Sequence, residues 1–176
     1  AVLVAEELFA SGAELVVSVS SAGQVIWVGD PPYFVLIERA LRDEGTSYHY
    51  LPPCDFSHIA PELRSMLKGI FSQARVRGYC GATWTTDAPF RETESAIDRC
   101  RALGIMAVEM EAAALYALAQ AKRKSIVCLA HVTNQMARSE GDFEKGVANG
   151  SQDALHVVSL VAKVWQNHRQ GTLIGG

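Results

Sequence analysis

The sequence lacks several features that would assign it to a class at once. Although 49% of its 176 residues are hydrophobic, no apolar run reaches the roughly 18 residues that a membrane span needs. Acids, Glu6 and Glu7 among them, occupy the start of the chain, where a signal peptide would carry bases. With a net charge of -3, the chain also lacks the basic excess of a general nucleic-acid binder. We therefore expect a cytoplasmic protein with neither a membrane nor a nucleic acid as its partner.

The sequence also lacks the spacings that metal sites and disulfide frameworks show. Its cysteines are far apart, with no C-x-x-C pair: Cys54, Cys80, Cys100 and Cys128. Its histidines do not supply zinc ligands at short spacing either. We predict no metal site and no cofactor, and we expect reduced, buried cysteines, as is usual in the cytosol.

No internal repeat and no linker divides the chain, so we predict one domain over residues 1–176. Short β-branched or apolar runs that read as strands alternate with amphipathic stretches that read as helices. The predicted strands are Glu14–Val19, Tyr33–Ile37, Arg75–Thr85 and Ser125–Val132. The predicted helices are Val4–Ser11, Pro61–Arg75, Glu94–Leu103, Glu111–Gln120 and Gln152–His168. This alternation predicts an α/β fold with a parallel or mixed central sheet.

The stretch GIMAVEMEAAALYALAQ places two carboxylates, Glu109 and Glu111, in an otherwise uncharged apolar run. Burying a carboxylate is costly unless hydrogen-bond donors satisfy it. A helix N-terminus could explain one of the two acids. Two acids that alternate with Met110 indicate a pocket that receives hydroxyl groups.

Two further segments are polar where predicted strands end. Ser20–Gly23 reads as a small-residue turn whose backbone N–H groups and hydroxyls could bind a ligand, or as an ordinary tight turn. Arg42–Pro53 reads as a functional loop, or as a solvated polar turn.

The segments VEMEAAALYALA, TTDAPFRET and RDEGTSYHYLPP resemble the nucleoside phosphorylase family, which includes purine nucleoside phosphorylase, uridine phosphorylase and related nucleosidases. The third segment is most similar to the uridine-phosphorylase-like branch. The resemblance implies a three-layer α/β/α domain and a homo-oligomer. It also implies a pentosyltransferase of purine or pyrimidine salvage, in which phosphate or water displaces the base of a ribonucleoside.

The resemblance assigns the sugar contacts to the central stretch. Glu111 matches the glutamate that grips the ribose hydroxyls, Met110 the methionine against the sugar, and Glu109 a second sugar contact. A carboxylate there stabilises the oxocarbenium-like charge of glycosidic cleavage.

The remaining implied contacts concern the phosphate and the base. Ser21 would contact phosphate, Ala22 and Gly23 would lie beneath the base, and Asn134 would face the base where purine enzymes carry an aspartate. The loop that would flank base and sugar contains Thr85, Phe90 and Arg91, although Arg91 also reads as a surface residue.

The chain departs from the family pattern at the phosphate site. Ser18 stands where the family has an arginine, and Ser20 replaces a glycine. The resemblance also implies an amino-terminal phosphate loop, and we expect that segment to be missing from this chain. Because arginine is hard to replace at a phosphate site, three functions stay open. They are phosphorolysis of a ribonucleoside, hydrolysis by a nucleosidase, and nucleoside binding with little turnover.

Overall fold

The computed structural model describes residues 1–135 and 147–174, which form helices around a mixed β-sheet. The helices are Val2–Ala10 (α1), Pro61–Met66 (α2), Ile70–Ala74 (α3), Glu94–Ala102 (α4), Ala112–Lys122 (α5) and Ser151–Ile174 (α6). The strands are Leu15–Gln24 (β1), Tyr33–Asp43 (β2), Phe56–His58 (β3), Gly78–Thr86 (β4), Ile105–Glu109 (β5) and Ser125–Gln135 (β6). Short 3-10 helices follow β2 and β4 and precede α6. The predicted α/β class with a mixed central sheet is confirmed.

The sheet has the strand order β3-β2-β4-β5-β1-β6, and an extra pairing of β2 with β6 closes five of its strands into a ring. Strands β2, β4 and β5 run parallel to one another. Strand β1 is parallel to β6 and antiparallel to β5, and β6 is antiparallel to β2. Closure leaves no free edge between β2 and β6, because every backbone group there has a neighbouring strand.

Helix α5 is buried on all sides, as its composition requires. Seven consecutive residues from Ala112 to Leu118 are buried. A helix that is apolar all round belongs in a core, and α5 contacts α1 and strands β2, β3, β4 and β6. Helix α6 packs against α2, α3 and β1, whereas α4 covers a separate small cluster around Trp84 and Ile105.

One predicted helix is divided in the structure. The sequence predicts a single helix over Pro61–Arg75, but α2 ends at Met66 and α3 begins at Ile70. Gly69 between them has a φ of 77°. This left-handed conformation suits glycine and interrupts a right-handed helix. The apolar periodicity alone did not indicate this break.

Tyr116 ties α5 to two strands of the ring. Its side chain is fully buried, its hydroxyl donates to the carbonyl of Ile37 on β2, and it accepts from the N–H of Cys128 on β6 at 3.1 Å. Desolvation by burial raises the pKa of Tyr116 well above its ordinary value, so the hydroxyl stays a donor at every accessible pH.

We predict that Tyr116→Phe lowers the free energy of unfolding by about 1–3 kcal/mol, because it leaves a buried N–H and a buried carbonyl without a partner. Tyr50→Phe is the matched control, since the Tyr50 hydroxyl donates to the side chain of Glu6 at a partly buried site. Urea denaturation of both variants measures the difference. Equal losses would show that the Tyr116 hydroxyl does not hold α5 to the sheet.

Candidate functional site

The carboxyl ends of four strands meet at one place in the ring. Strands β1 and β5 are antiparallel and overlap only at their ends, where Gly23 pairs with Val108. Gly23 also pairs with Asn134 of β6, and Thr85 of β4 pairs with Glu109 of β5. The ends of four strands that are separated in the sequence therefore adjoin one another because of strand register alone.

A pocket of about 280 Å³ lies at this junction. It brings together most of the side chains that the sequence predicted as a site. Its lining is Ser21, Ala22, Gly23, Pro89, Glu92, Val108, Glu109, Met110, Thr133 and Asn134. Six of the predicted site residues, with Asn134 among them, thus line one cavity.

Glu109 is buried, with 3% of its surface exposed, and four donors satisfy its carboxylate. The hydroxyls of Thr83 and Thr85 donate to Oε1 at 3.0 and 2.5 Å. The N–H groups of Glu111 and Ala112, at the start of α5, donate to Oε2 at 2.7 Å each. A carboxylate has about four acceptor positions, so Glu109 is fully occupied by the protein. These bonds give it a positioning role that the sequence did not indicate.

Burial raises the pKa of Glu109, and its hydrogen bonds, first that from Thr85, act in the opposite direction. The start of α5 is also where a helix dipole favours negative charge. Ionising this carboxyl therefore depends on its donors, because desolvation alone would keep it neutral.

Met110 and Glu111 lie on the other side of this junction. Met110, half-exposed, lines both the pocket and a neighbouring cleft of about 460 Å³. Glu111 lines only that cleft, together with Glu6, Glu44 and Asp87, and its Oε2 accepts the N–H of Met110 at 3.2 Å. The two carboxylates of the motif therefore face different cavities, with Met110 between them.

The predicted turn at Ser20–Gly23 is wrong. These residues continue β1, which runs to Gln24, and they pair in parallel with β6. Pairing with β6 takes up the backbone groups on one side of this segment, so they are not offered to a ligand as those of a turn would be. An irregularity of register between Ala22 and Gly23 bends the strand where it reaches the pocket.

The predicted flanking loop divides into a buried part and an exposed part. Thr85 does not lie in a loop, since it is the penultimate residue of β4, has no exposed surface and accepts the N–H of Ala113 at 2.9 Å. Phe90 is fully exposed. Arg91 is also exposed, and neither of these two lines the pocket. The connection instead contributes Pro89 and Glu92, neither of which the sequence predicted as a site residue. The available signal was that both belong to the segment TTDAPFRET, on which the resemblance depends.

The segment Arg42–Pro53 folds around a buried guanidinium. Arg42 is 4% exposed and donates to the carbonyls of Leu51 and Pro52 and to the hydroxyl of Ser47. Its guanidinium lies 4.2 Å from the ring centre of Tyr48. The Arg42 guanidinium and its partners therefore hydrogen-bond within the segment itself.

A groove of about 1140 Å³ lies elsewhere and carries charges of both signs, including Glu38, Arg39 and Arg64. None of the predicted site residues lines it. In residues 1–135 and 147–174, no three metal-ligating side chains converge, and no helix is long and apolar enough to cross a membrane. The four cysteines are free, and the expectation that all are buried is wrong, because Cys54 and Cys80 are exposed.

We predict that Thr85→Val lowers the free energy of unfolding by about 1–3 kcal/mol, because the buried N–H of Ala113 loses its acceptor. Without the Thr85 hydroxyl, the raised pKa of Glu109 rises further. The cost of ionising Glu109 then appears as the pH increases through its folded pKa. The loss should therefore be larger at about pH 8 than at about pH 5.

Thr86→Val is the control, since Thr86 is equally buried on β4 but accepts only the N–H of Ala88. The decrease in the free energy of unfolding caused by Thr86→Val should not change with pH. Chemical denaturation measures the free energy of unfolding of both variants at the two pH values. A decrease in Thr85→Val that does not depend on pH would contradict the assigned role of the Thr85 hydroxyl.

The comparison with family models agrees with this arrangement of segments. The model described as the phosphorylase superfamily matches residues 1–164, which include all three segments on which the resemblance depends. Because the match covers most of the chain and the fold is a mixed α/β one, the chain belongs to the phosphorylase superfamily, as a member of the nucleoside phosphorylase family.

Proposed function

We propose that the protein cleaves the N-glycosidic bond of a ribonucleoside, with phosphate as the acceptor of the ribosyl group. The observation that carries this proposal is the pocket at the strand junction, which joins the Ser21–Gly23 segment, Met110 and Asn134 in one cavity. Family membership supports a phosphorylase or nucleosidase activity.

In the proposed site, Glu111 binds the ribose hydroxyls from the neighbouring cleft, and Met110 packs against the sugar between the two cavities. In the part of the chain that the structure describes, the Glu111 carboxylate accepts the Met110 N–H at Oε2, so its other oxygen can accept hydroxyls. A carboxylate held near the anomeric carbon stabilises the oxocarbenium-like charge that develops as the bond breaks.

Asn134 faces the base in this arrangement. The hydroxyl of Thr133 donates to Oδ1 of Asn134 over a long 3.4 Å, and this orientation leaves the amide N–H groups to donate. They would hydrogen-bond to a carbonyl oxygen or a ring nitrogen of the base. Ser21 would offer its hydroxyl to the acceptor, with Ala22 and Gly23 beneath the base.

The charge of the pocket supports a second candidate function, hydrolysis. Among the described residues that line it there is no lysine or arginine, and Ser18 occupies the position of the family arginine. A phosphate dianion needs a positive partner that its binding site holds in place. Water needs none, so a nucleosidase is the alternative.

The test is incubation with uridine, inosine and methylthioadenosine, with and without phosphate, followed by chromatography of the free base. We expect base release that depends on phosphate and yields ribose 1-phosphate. Release without phosphate would support the nucleosidase. No release of base from any of the three would overturn both candidates and leave nucleoside binding as the function.

Glu111→Ala should abolish binding and turnover of ribonucleosides, because it removes the carboxylate that is proposed to bind the ribose hydroxyls beside Met110. Glu7→Gln is the control, since Glu7 is an exposed acid of α1 outside both cavities. Calorimetric titration with the preferred nucleoside measures binding. Unchanged affinity in Glu111→Ala would remove Glu111 from the site.

A further inference from the structure

Glu92 is an acid of the pocket to which neither the sequence nor the family match gives a role. It follows the 3-10 helix Pro89–Arg91 and precedes Thr93, the N-terminal cap of α4. The backbone on both sides is fixed, because the N–H of Arg91 donates to Ala88 and that of Thr93 to Arg91, at 2.8 Å each. Glu92 is therefore held in the pocket wall by its own connection.

Within residues 1–135 and 147–174, Glu92 and Glu109 are the only ionisable groups that line the pocket. The four hydrogen bonds of Glu109 leave it no free acceptor position. For Glu92, no donor and no ion-pair partner occurs in residues 1–135 and 147–174. It is the one carboxyl of the lining that can exchange a proton or a hydrogen bond with a bound molecule.

From this placement we infer that Glu92 donates the proton to the departing base. The inference depends on the proposed cleavage of a ribonucleoside and adds the residue that completes it. Asn134 can donate a hydrogen bond but cannot transfer a proton, because an amide is far too weak an acid. Glu92 lies in the same cavity and supplies the proton that Asn134 lacks.

The step balances in atoms and electrons. The bond between the anomeric carbon and the base nitrogen breaks, and its electron pair moves to the base, which takes the proton of Glu92. The acceptor, phosphate or water, forms a bond to the anomeric carbon through oxygen and releases its own proton. Solvent returns a proton to the Glu92 carboxylate, so the enzyme is restored.

The surroundings of Glu92 suit an acid. Burial raises its pKa, which lets the carboxyl keep its proton closer to neutral pH. The charged groups nearest to it in the chain and the pocket are Arg91 before it, Glu94 on α4 and Glu109 on β5. None of them forms an ion pair with it in the part of the chain that the structure describes.

The test compares Glu92→Gln with the wild type on two substrates, the nucleoside that the wild type prefers and 4-nitrophenyl riboside. Nitrophenolate leaves without protonation. On the nucleoside, kcat should fall by about 10²- to 10⁴-fold, with a much smaller change in KM. On the nitrophenyl riboside the loss should be smaller by at least about tenfold.

The pH profile gives an independent readout. In the wild type, kcat on the nucleoside should fall as the pH rises through the pKa of Glu92, because the acid loses its proton. This fall in kcat at rising pH should be absent in Glu92→Gln and present in Glu92→Asp, which keeps a carboxyl group. Glu94→Gln, an exposed acid two residues along, should resemble the wild type in both experiments.

The outcomes separate the inference from the proposed function. A wild type that releases no base overturns both. A wild type that turns over, with Glu92→Gln equally active or equally impaired on the two substrates, overturns the role of Glu92 alone. Circular dichroism of each variant confirms that it is folded before its kinetics are compared.

Discussion

The site depends on one buried carboxylate whose acceptors are all occupied. Glu109 joins β4, β5 and α5, since its donors come from two threonine hydroxyls of β4 and from two N–H groups at the start of α5. Ionised and unsatisfied, it would destabilise the fold by several kcal/mol. Its burial therefore requires these three elements to keep their relative positions, and the same positions present Met110 and Glu111 to the two cavities.

The two glutamates of the motif have different surroundings because they lie on opposite sides of Met110 in the chain. Glu109 ends a strand and points into the structure, whereas the backbone of Glu111 begins a helix and leaves its side chain at the surface of the cleft. A substitution that shifted the helix start by one residue would exchange these environments. The spacing of the pair is thus a requirement of packing.

The sequence predicted the features that depend on residues close together in the chain, and it missed the features that depend on strand pairing. The helical nature of α5, the α/β alternation and the importance of Glu109 to Glu111 follow from composition and period. The segment Ser20–Gly23 contains only small residues, so nothing in it distinguishes a turn from a strand, and its pairing with residues more than a hundred positions away decides the outcome. Closure of the ring and the burial of Thr85 depend on register in the same way. The pairing of β1 with β6 places Asn134 beside Gly23, which periodicity could not indicate.

The charges of the pocket bear both on the binding of the proposed acceptor and on the protonation of Glu92, the proposed acid. Among the residues that the structure describes, two carboxyls and no cation line the cavity, so an anionic acceptor meets electrostatic opposition whenever Glu92 is ionised. In the proposed reaction, a protonated Glu92 would remove this opposition and at the same time provide the proton for the departing base. Both phosphorolysis and hydrolysis would need that proton, but only phosphorolysis would also need the charge of Glu92 to be neutralised. The proposed acid would therefore serve the leaving group and the acceptor together when the acceptor is phosphate.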